Sequence, residues 1–264
     1  MLNRIKRLYK KRDLILTLVV QDIKMKYAAS YLGFFWSLLE PMLMICIYSF
    51  VFPLILHAKF LNWVTFFICG LISFRFLNKG IIDVTRSLVE KADILGKIGM
   101  LPEIIPISKC ISDFINFILE SAVFLFLIFI FVKPTVYILL YPFLMLIEFL
   151  MVLGIGLYLS CYFPRMRDLT YILNIGFQLL MFLVPIIYRI EMMPEEYRGM
   201  YAINPFAVLI YLYQASVLHS LDGFIETLPI IPNFILLSIA SVIIFLVGYK
   251  LFQKHKHEAI ARIA

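Results

Sequence analysis

Charge is scarce in this 264-residue sequence. Asp, Glu, Lys and Arg make up 16% of it, against 63% hydrophobic residues. A water-soluble domain averages ~25% charged and ~45–50% apolar. With a mean hydropathy of +0.96, the chain has more apolar side chains than a water-facing fold could hide, which excludes a soluble globule. The signatures of self-contained catalysis are lacking too. There is no GxxxxGK[ST] phosphate loop, no GxSxG, no HExxH and no dinucleotide-binding glycine fingerprint. Cys46, Cys69, Cys110 and Cys161 stand far apart in apolar stretches, without CxxC or Cys/His spacing. Neither a disulfide framework nor a metal site follows, and all four read as small buried hydrophobes. His57, His219, His255 and His257 are scattered, the last two in a basic tail expected to be solvated. Internal repeats, which mark many ion-coupled transporters, are not detectable.

Apolar runs dominate what is present. A bilayer-spanning helix needs ~20 mainly apolar residues. Six segments satisfy this: 34–56, 63–82, 104–132, 136–163, 169–188 and 230–251. The thirteen residues 206–218, containing Gln214, are too short to cross and predict a re-entrant or interfacial helix within a region of about 193–222. Near the N-terminus the apolar stretch Leu14–Val20 is broken by Gln21, Asp22, Lys24 and Lys26. That pattern does not read as a signal peptide and fits a helix lying at the cytoplasmic interface. The 24 Lys and Arg residues against 17 Asp and Glu fall mostly between apolar runs, a topological pattern rather than a nucleic-acid-binding patch. With six spans, eighteen basic residues share a side with both termini and four (Lys59, Lys133, Arg189, Arg198) lie opposite. Both termini are therefore expected in the cytoplasm. The expected fold is an all-α integral membrane protein: an N-terminal tail and interface helix over 1–33, a six-helix domain over 34–251, and a basic tail over 252–264.

Ionisable groups inside spans are costly and usually face a cavity or a partner. Arg75, Lys79 and Asp83 recur at i, i+4 and i+8 on the second span, and Asp113, Asn116 and Glu120 share a face of the third. Two readings stay open. Arg75 and Lys79 could receive a lipid pyrophosphate, or they could pair with Asp113 and Glu120 to hold the bundle. Elsewhere, Gly33 permits a sharp turn into the first span. Asn204 suits a helix cap and Pro205 the first helical position. Residues 88–95 are helix-compatible and closed by Gly96. Among 25 Phe, 15 Tyr and 2 Trp, Trp63, Tyr137 and Tyr141 are expected in interfacial belts.

The block from Asp22 to Pro41, Asp-Ile-Lys-Met-Lys-Tyr-Ala-Ala-Ser-Tyr-Leu-Gly-Phe-Phe-Trp-Ser-Leu-Leu-Glu-Pro, closely resembles the first segment of permeases from the ABC-type polysaccharide and polyol-phosphate exporters. That family moves O-antigen, capsule or teichoic acid precursors on lipid carriers. Further blocks follow in family order: Phe163-Pro164-Arg165-Met166-Arg167-Asp168-Leu169, Val184-Pro185-Ile186-Ile187-Tyr188 and Asn204-Pro205. Lys97 through Pro106 matches loosely, since Met100-Leu101-Pro102 replaces the usual Phe-Pro, and Lys26 stands where Arg is commoner. The motif positions carried over are Gly33, Pro41, Arg167, Asp168, Asn204 and Pro205.

The resemblance implies a homodimeric permease in the bacterial cytoplasmic membrane, among membrane lipids and without nucleic acid as a partner. It would work with two copies of a cytoplasmic ATPase that binds ATP and Mg, and would hold no cofactor itself. It implies a coupling helix at about 88–96 that docks on the ATPase, with Glu90, Lys91 and Asp93 as contacts. A conduit would be lined by aromatics including Phe34, Phe35, Trp36, Tyr171, Phe177 and Tyr188. The cargo would be a glycan or polyol-phosphate polymer on polyprenyl pyrophosphate. The alternatives are an ion-coupled transporter using Asp113, Glu120 and Glu148 as a proton relay, or an ABC exporter of a drug or lipid.

Overall fold

The apolar runs between proline and glycine punctuation become helices, and among the described residues there is no strand. The computed structural model describes residues 8–26, 30–56, 60–97, 100–130, 135–219 and 228–263. In chain order these form α1 (Arg12–Lys26), α2 (Trp36–Leu56), α3 (Phe60–Glu90), α4 (Ala92–Lys97) and α5 (Ile104–Phe129). Then follow α6 (Leu140–Ser160), α7 (Leu169–Leu183), α8 (Glu195–Ile203), α9 (Pro205–Leu218) and α10 (Ile230–Ala261). Short 3-10 turns occupy Gly33–Phe35, Val136–Leu139 and Ile190–Met192.

The centre is α3. It contains no proline across 31 residues, so it runs unbroken for about 46 Å at the helical rise. It is packed against α5, α6, α7 and α9. Cys69, Val84 and Leu88 of α3, Cys110 and Phe124 of α5, and Met151 and Val152 of α6 have no exposed surface. Helix α10 lies along α6. α9 is apolar all round, and every residue from Ala207 to Leu218 is buried, as expected for a helix with no solvent-facing stripe. Its start is set locally. Asn204 Oδ1 accepts from the Phe206 amide at 3.0 Å, and Pro205 begins the helix without needing a donor. α8 and α9 meet at a bend of 101°.

Among the described residues, four helical stretches are long and apolar enough to cross a bilayer, Trp63–Glu90, Ile104–Phe129, Val136–Ser160 and Ile230–Ala261, or five spans if the bent α8–α9 pair counts as one. The apolar stretches described in α2 and α7, Leu39–Tyr48 and Leu169–Leu183, are shorter. α7 stops before its expected end at Tyr188 because Pro185 drives Val184 to extended geometry (φ −115°, ψ 150°).

Four expectations are corrected. The separate helix expected over 88–96 begins at Ala92, because residues 88–90 complete the last turn of α3. The basic segment expected from residue 252 onward is not a separate tail: α10 continues to Ala261, since no glycine or proline interrupts residues 249–263. Phe252, Lys256 and Ala259 are buried at i, i+4 and i+7. Tyr141 does not face outward as a belt residue would. It is buried, and its hydroxyl is 3.4 Å from Ser121 Oγ. Finally, Cys46 is exposed, on the outward face of α2, while the other three cysteines are buried.

Candidate functional site

Three helices bring their ionisable residues to one cleft. The α3 stripe of Arg75, Lys79 and Asp83 faces the α5 stripe of Lys109, Asp113, Asn116 and Glu120, and α1 closes one side. Two adjoining cavities result. One, of about 240 Å³, is bounded by residues of α3 and α5. The other, of about 280 Å³, adds Asp22 and Lys26 of α1 and the end of α3. Lys79 and Asp113 border both.

The pairing is specific. The Arg75 guanidinium lies 2.5 Å from Glu40 of α2 and 3.8 Å from Glu120. Lys109 sits between Asp83 at 3.1 Å and Asp113 at 3.5 Å. Lys91 meets Asp22 at 2.6 Å, and Lys26 donates to Asn116 Oδ1 at 3.3 Å. Lys79 forms no ion pair within 4 Å among the described residues, and its side chain is exposed to the cleft. Arg75 thus meets Glu120, but Lys79 meets neither Asp113 nor Glu120, because Lys109 occupies Asp113. Glu40 and Lys109 were not singled out by sequence. Glu40 lies on another helix, so no periodicity links it to Arg75, whereas Lys109 stands four residues before Asp113 on the same face of α5. Glu148 is apart from this cleft: it is fully buried between α6 and α3 and accepts from the Ser73 hydroxyl at 3.1 Å. The three carboxylates of the relay alternative therefore do not converge.

In the coupling region, Glu90 and Asp93 are exposed. Lys91 turns inward to Asp22, with side-chain exposures of 15% and 10% for the pair. Asp93 therefore faces outward, Glu90 is exposed at the rim of the second cavity, and Lys91 ties the end of α3 to α1.

The aromatic candidates separate by face. Phe35, Trp36 and Tyr171 are exposed, and the Phe34 side chain lies outside the described set. Phe177 is buried with its ring edge-on to Phe74, 6.2 Å between centroids, so within the chain it packs rather than lines a surface. Tyr188 is half-buried and braces the turn after α7: its hydroxyl donates to the Phe182 carbonyl at 2.9 Å and meets the Tyr201 hydroxyl. On α7, Tyr171, Asn174 and Gln178 share an exposed face. Between Ile235 and Val247 the exposed face of α10 is wholly aliphatic, with Ile235, Ile239, Val242 and Leu246 among its members.

The motif residues are turn-builders. Gly33 has φ +49°, a left-handed geometry that favours glycine. Pro41 is buried in the first turns of α2. Arg167 and Asp168 are exposed in the turn before α7. The Asp168 carbonyl accepts from the Tyr171 and Ile172 amides, and its side chain makes no cap.

The sequence is similar to that of known proteins along nearly its whole length. The chain is 25% identical over 261 residues, 98% of each chain, to a Myxococcus xanthus protein named O-antigen export system permease protein RfbA. It is 25% identical over 247 residues, 93% of each chain, to a Klebsiella pneumoniae protein of the same name. A second Klebsiella pneumoniae protein of that name is 24% identical over the same length. Residues 13–218, from α1 through α9, match the family described as ABC-2 type transporter, and the chain belongs to that family of membrane permeases.

Proposed function

We propose that the chain is the membrane half of an ATP-driven exporter that moves a polysaccharide or polyol-phosphate polymer on a polyprenyl pyrophosphate carrier across the bacterial cytoplasmic membrane. Two copies form the conduit. Two copies of a separate cytoplasmic ATPase bind ATP and Mg and dock at α4. In this reading α2, α3, α5, α6, α7 and α10 cross the membrane, α8 and α9 dip back from the outer side, and both termini are cytoplasmic.

One observation carries the reading: the exposed face of α7. Carboxamides facing hydrocarbon are unfavourable, yet Asn174 and Gln178 stand outward beside Tyr171, while between Ile235 and Val247 α10 turns only aliphatic side chains outward. α10 is suited to lipid, and α7 to a hydrated path between two copies. Sugar rings pass over aromatic faces such as Tyr171, Phe35 and Trp36 without deep polar trapping. In the cleft, cations and carboxylates balance, so Lys79, free of an ion pair among the described residues, is the group in this reading that meets the carrier's pyrophosphate. The O-antigen permeases similar to the chain support this choice of cargo.

The test is purification from native membranes in mild detergent, with identification of accompanying chains. A stoichiometric ATPase with vanadate-sensitive hydrolysis is the expected result. A lone chain that moves solute on a proton gradient would overturn the proposal. A second expectation concerns docking. Charge reversal at the exposed Glu90 or Asp93 should lower export about tenfold or more by weakening a charged contact with the ATPase. The amount of permease in the membrane should be unchanged for the Asp93 variant, whose side chain is exposed and borders neither cavity. Export at the parental rate in both variants would remove these residues from the docking surface.

A further inference from the structure

Glu103 stands where α5 begins, a position where a carboxylate commonly folds back over the first turn. It makes no such cap. Instead it is fully buried, and both oxygens are taken by the C-terminal part of α10. Gln253 Nε2 donates to Oε1 at 3.4 Å, and Lys256 Nζ donates to Oε2 at 3.4 Å. Lys256 is itself 6% exposed. Burying two charges is costly unless they are matched, and a joint of this kind is intolerant of losing one partner. The surrounding residues hold α10 in place. The Phe252 side chain is wholly buried and its carbonyl lies 3.7 Å from Cys161 Sγ. The His255 ring lies 5.7 Å from Tyr162. Phe252, Gln253, His255 and Lys256 thus pack between the start of α5 and the turn that follows α6.

The short helix α4 lies in the chain between two buried joints of this type. Before it, Lys91 is tied to Asp22 of α1. After it, Glu103 is tied to Lys256 of α10. We infer that residues 252–263 form a strut that positions the α4 segment, with Glu103 and Lys256 as its fixed joint, so that displacement delivered at α4 reaches α10 as well as α1. This inference rests on the proposed docking of the ATPase at α4. Lys256, Gln253 and Glu103 act here as positioning residues and touch no cargo.

The experiment uses the whole permease–ATPase complex in its membrane and compares Lys256→Glu, the exchange Glu103→Lys with Lys256→Glu, and the neutral pair Glu103→Gln with Lys256→Met. Permease amount, retained ATPase, ATP hydrolysis and export are read for each. The expected result is that Lys256→Glu keeps its ATPase and continues to hydrolyse ATP, while polymer exported per ATP falls about tenfold or more. The exchange, which restores opposite charges, should recover export to within about threefold of the parent. Should Lys256→Glu fail to accumulate, the neutral pair decides: normal amount with export per ATP reduced supports the strut, and full coupling overturns it. Export by Lys256→Glu within about twofold of the parent, or export and permease amount falling strictly together in every variant, would also overturn it. An unaltered permease without any accompanying ATPase removes the transport reading itself, and the strut with it.

Discussion

Leucine at Gly248 should leave little folded permease in the membrane. Helices α6 and α10 cross at Gly154 and Gly248, and a Cβ built on Gly248 falls inside the carbonyl group of Gly154. Built on Gly154, a Cβ would lie 2.7 Å from the Phe245 Cα and 2.9 Å from the Ile244 carbonyl oxygen. The obstructing atoms are backbone, so no rotamer change relieves the overlap and the two helices must separate. Between apolar helices in lipid, association depends on close packing at small residues, because the hydrophobic effect gives no advantage to protein over acyl chains. Overpacking a core side chain costs ~1–3 kcal/mol, and a backbone clash belongs at or above the upper end. About 3 kcal/mol changes the ratio of folded to unfolded protein roughly a hundredfold. Yield and thermal stability in detergent check this, with Gly248→Ala as an intermediate step. Gly176→Ala serves as control, since nothing lies within 4 Å of a Cβ there. A Gly248→Leu protein as stable as the parent would show that the crossing has room to spare.

Reversal at Arg75 should have the second large effect. Its guanidinium links α3 to Glu40 on α2 and Glu120 on α5, and Arg75→Glu sets three carboxylates together. Breaking a buried pair costs ~3–5 kcal/mol. Arg75 and Glu40 retain 33% and 45% exposure, so solvent screening reduces this toward ~2 kcal/mol. Export should fall about thirtyfold on that basis. Adding Glu120→Arg restores a cation to the cluster and should recover most of the loss, because the new arginine can reach position 75 and Glu40. An exchange that inserts normally but exports nothing would show instead that Arg75 acts on the cargo. The two outcomes separate the structural reading of this residue from the headgroup reading.

The cleft shows where sequence reasoning stopped. Spacing along α3 and α5 placed Arg75, Lys79, Asp83, Asp113 and Glu120 on the right faces, because helical periodicity is a local property. Partner choice was out of reach. Glu40 stands 35 residues before Arg75, and only the packing of α2 on α3 and α5 brings it close. Lys109 meets Asp113 through i, i+4 spacing on α5, a local relation, but its pairing with Asp83 of α3 depends on packing in the same way. The aromatics behaved alike: Phe177 and Tyr171 sit on one apolar helix, yet one packs on Phe74 and the other faces out.

Composition and order alone settled that the chain belongs in a membrane, that it is helical, and where several helices begin. Hydropathy sums residue by residue, and Asn204-Pro205 acts within a single turn. Which faces are inner and outer was decided only in three dimensions. A soluble helix announces its buried side by a polar opposite, but α9 is apolar all round and α10 turns an aliphatic face outward, so hydrophobicity carries no direction there. The direction comes instead from small-residue crossings, buried ion pairs such as Glu103–Lys256, and the cost of turning a carboxamide toward hydrocarbon. Each of these depends on which helix lies alongside.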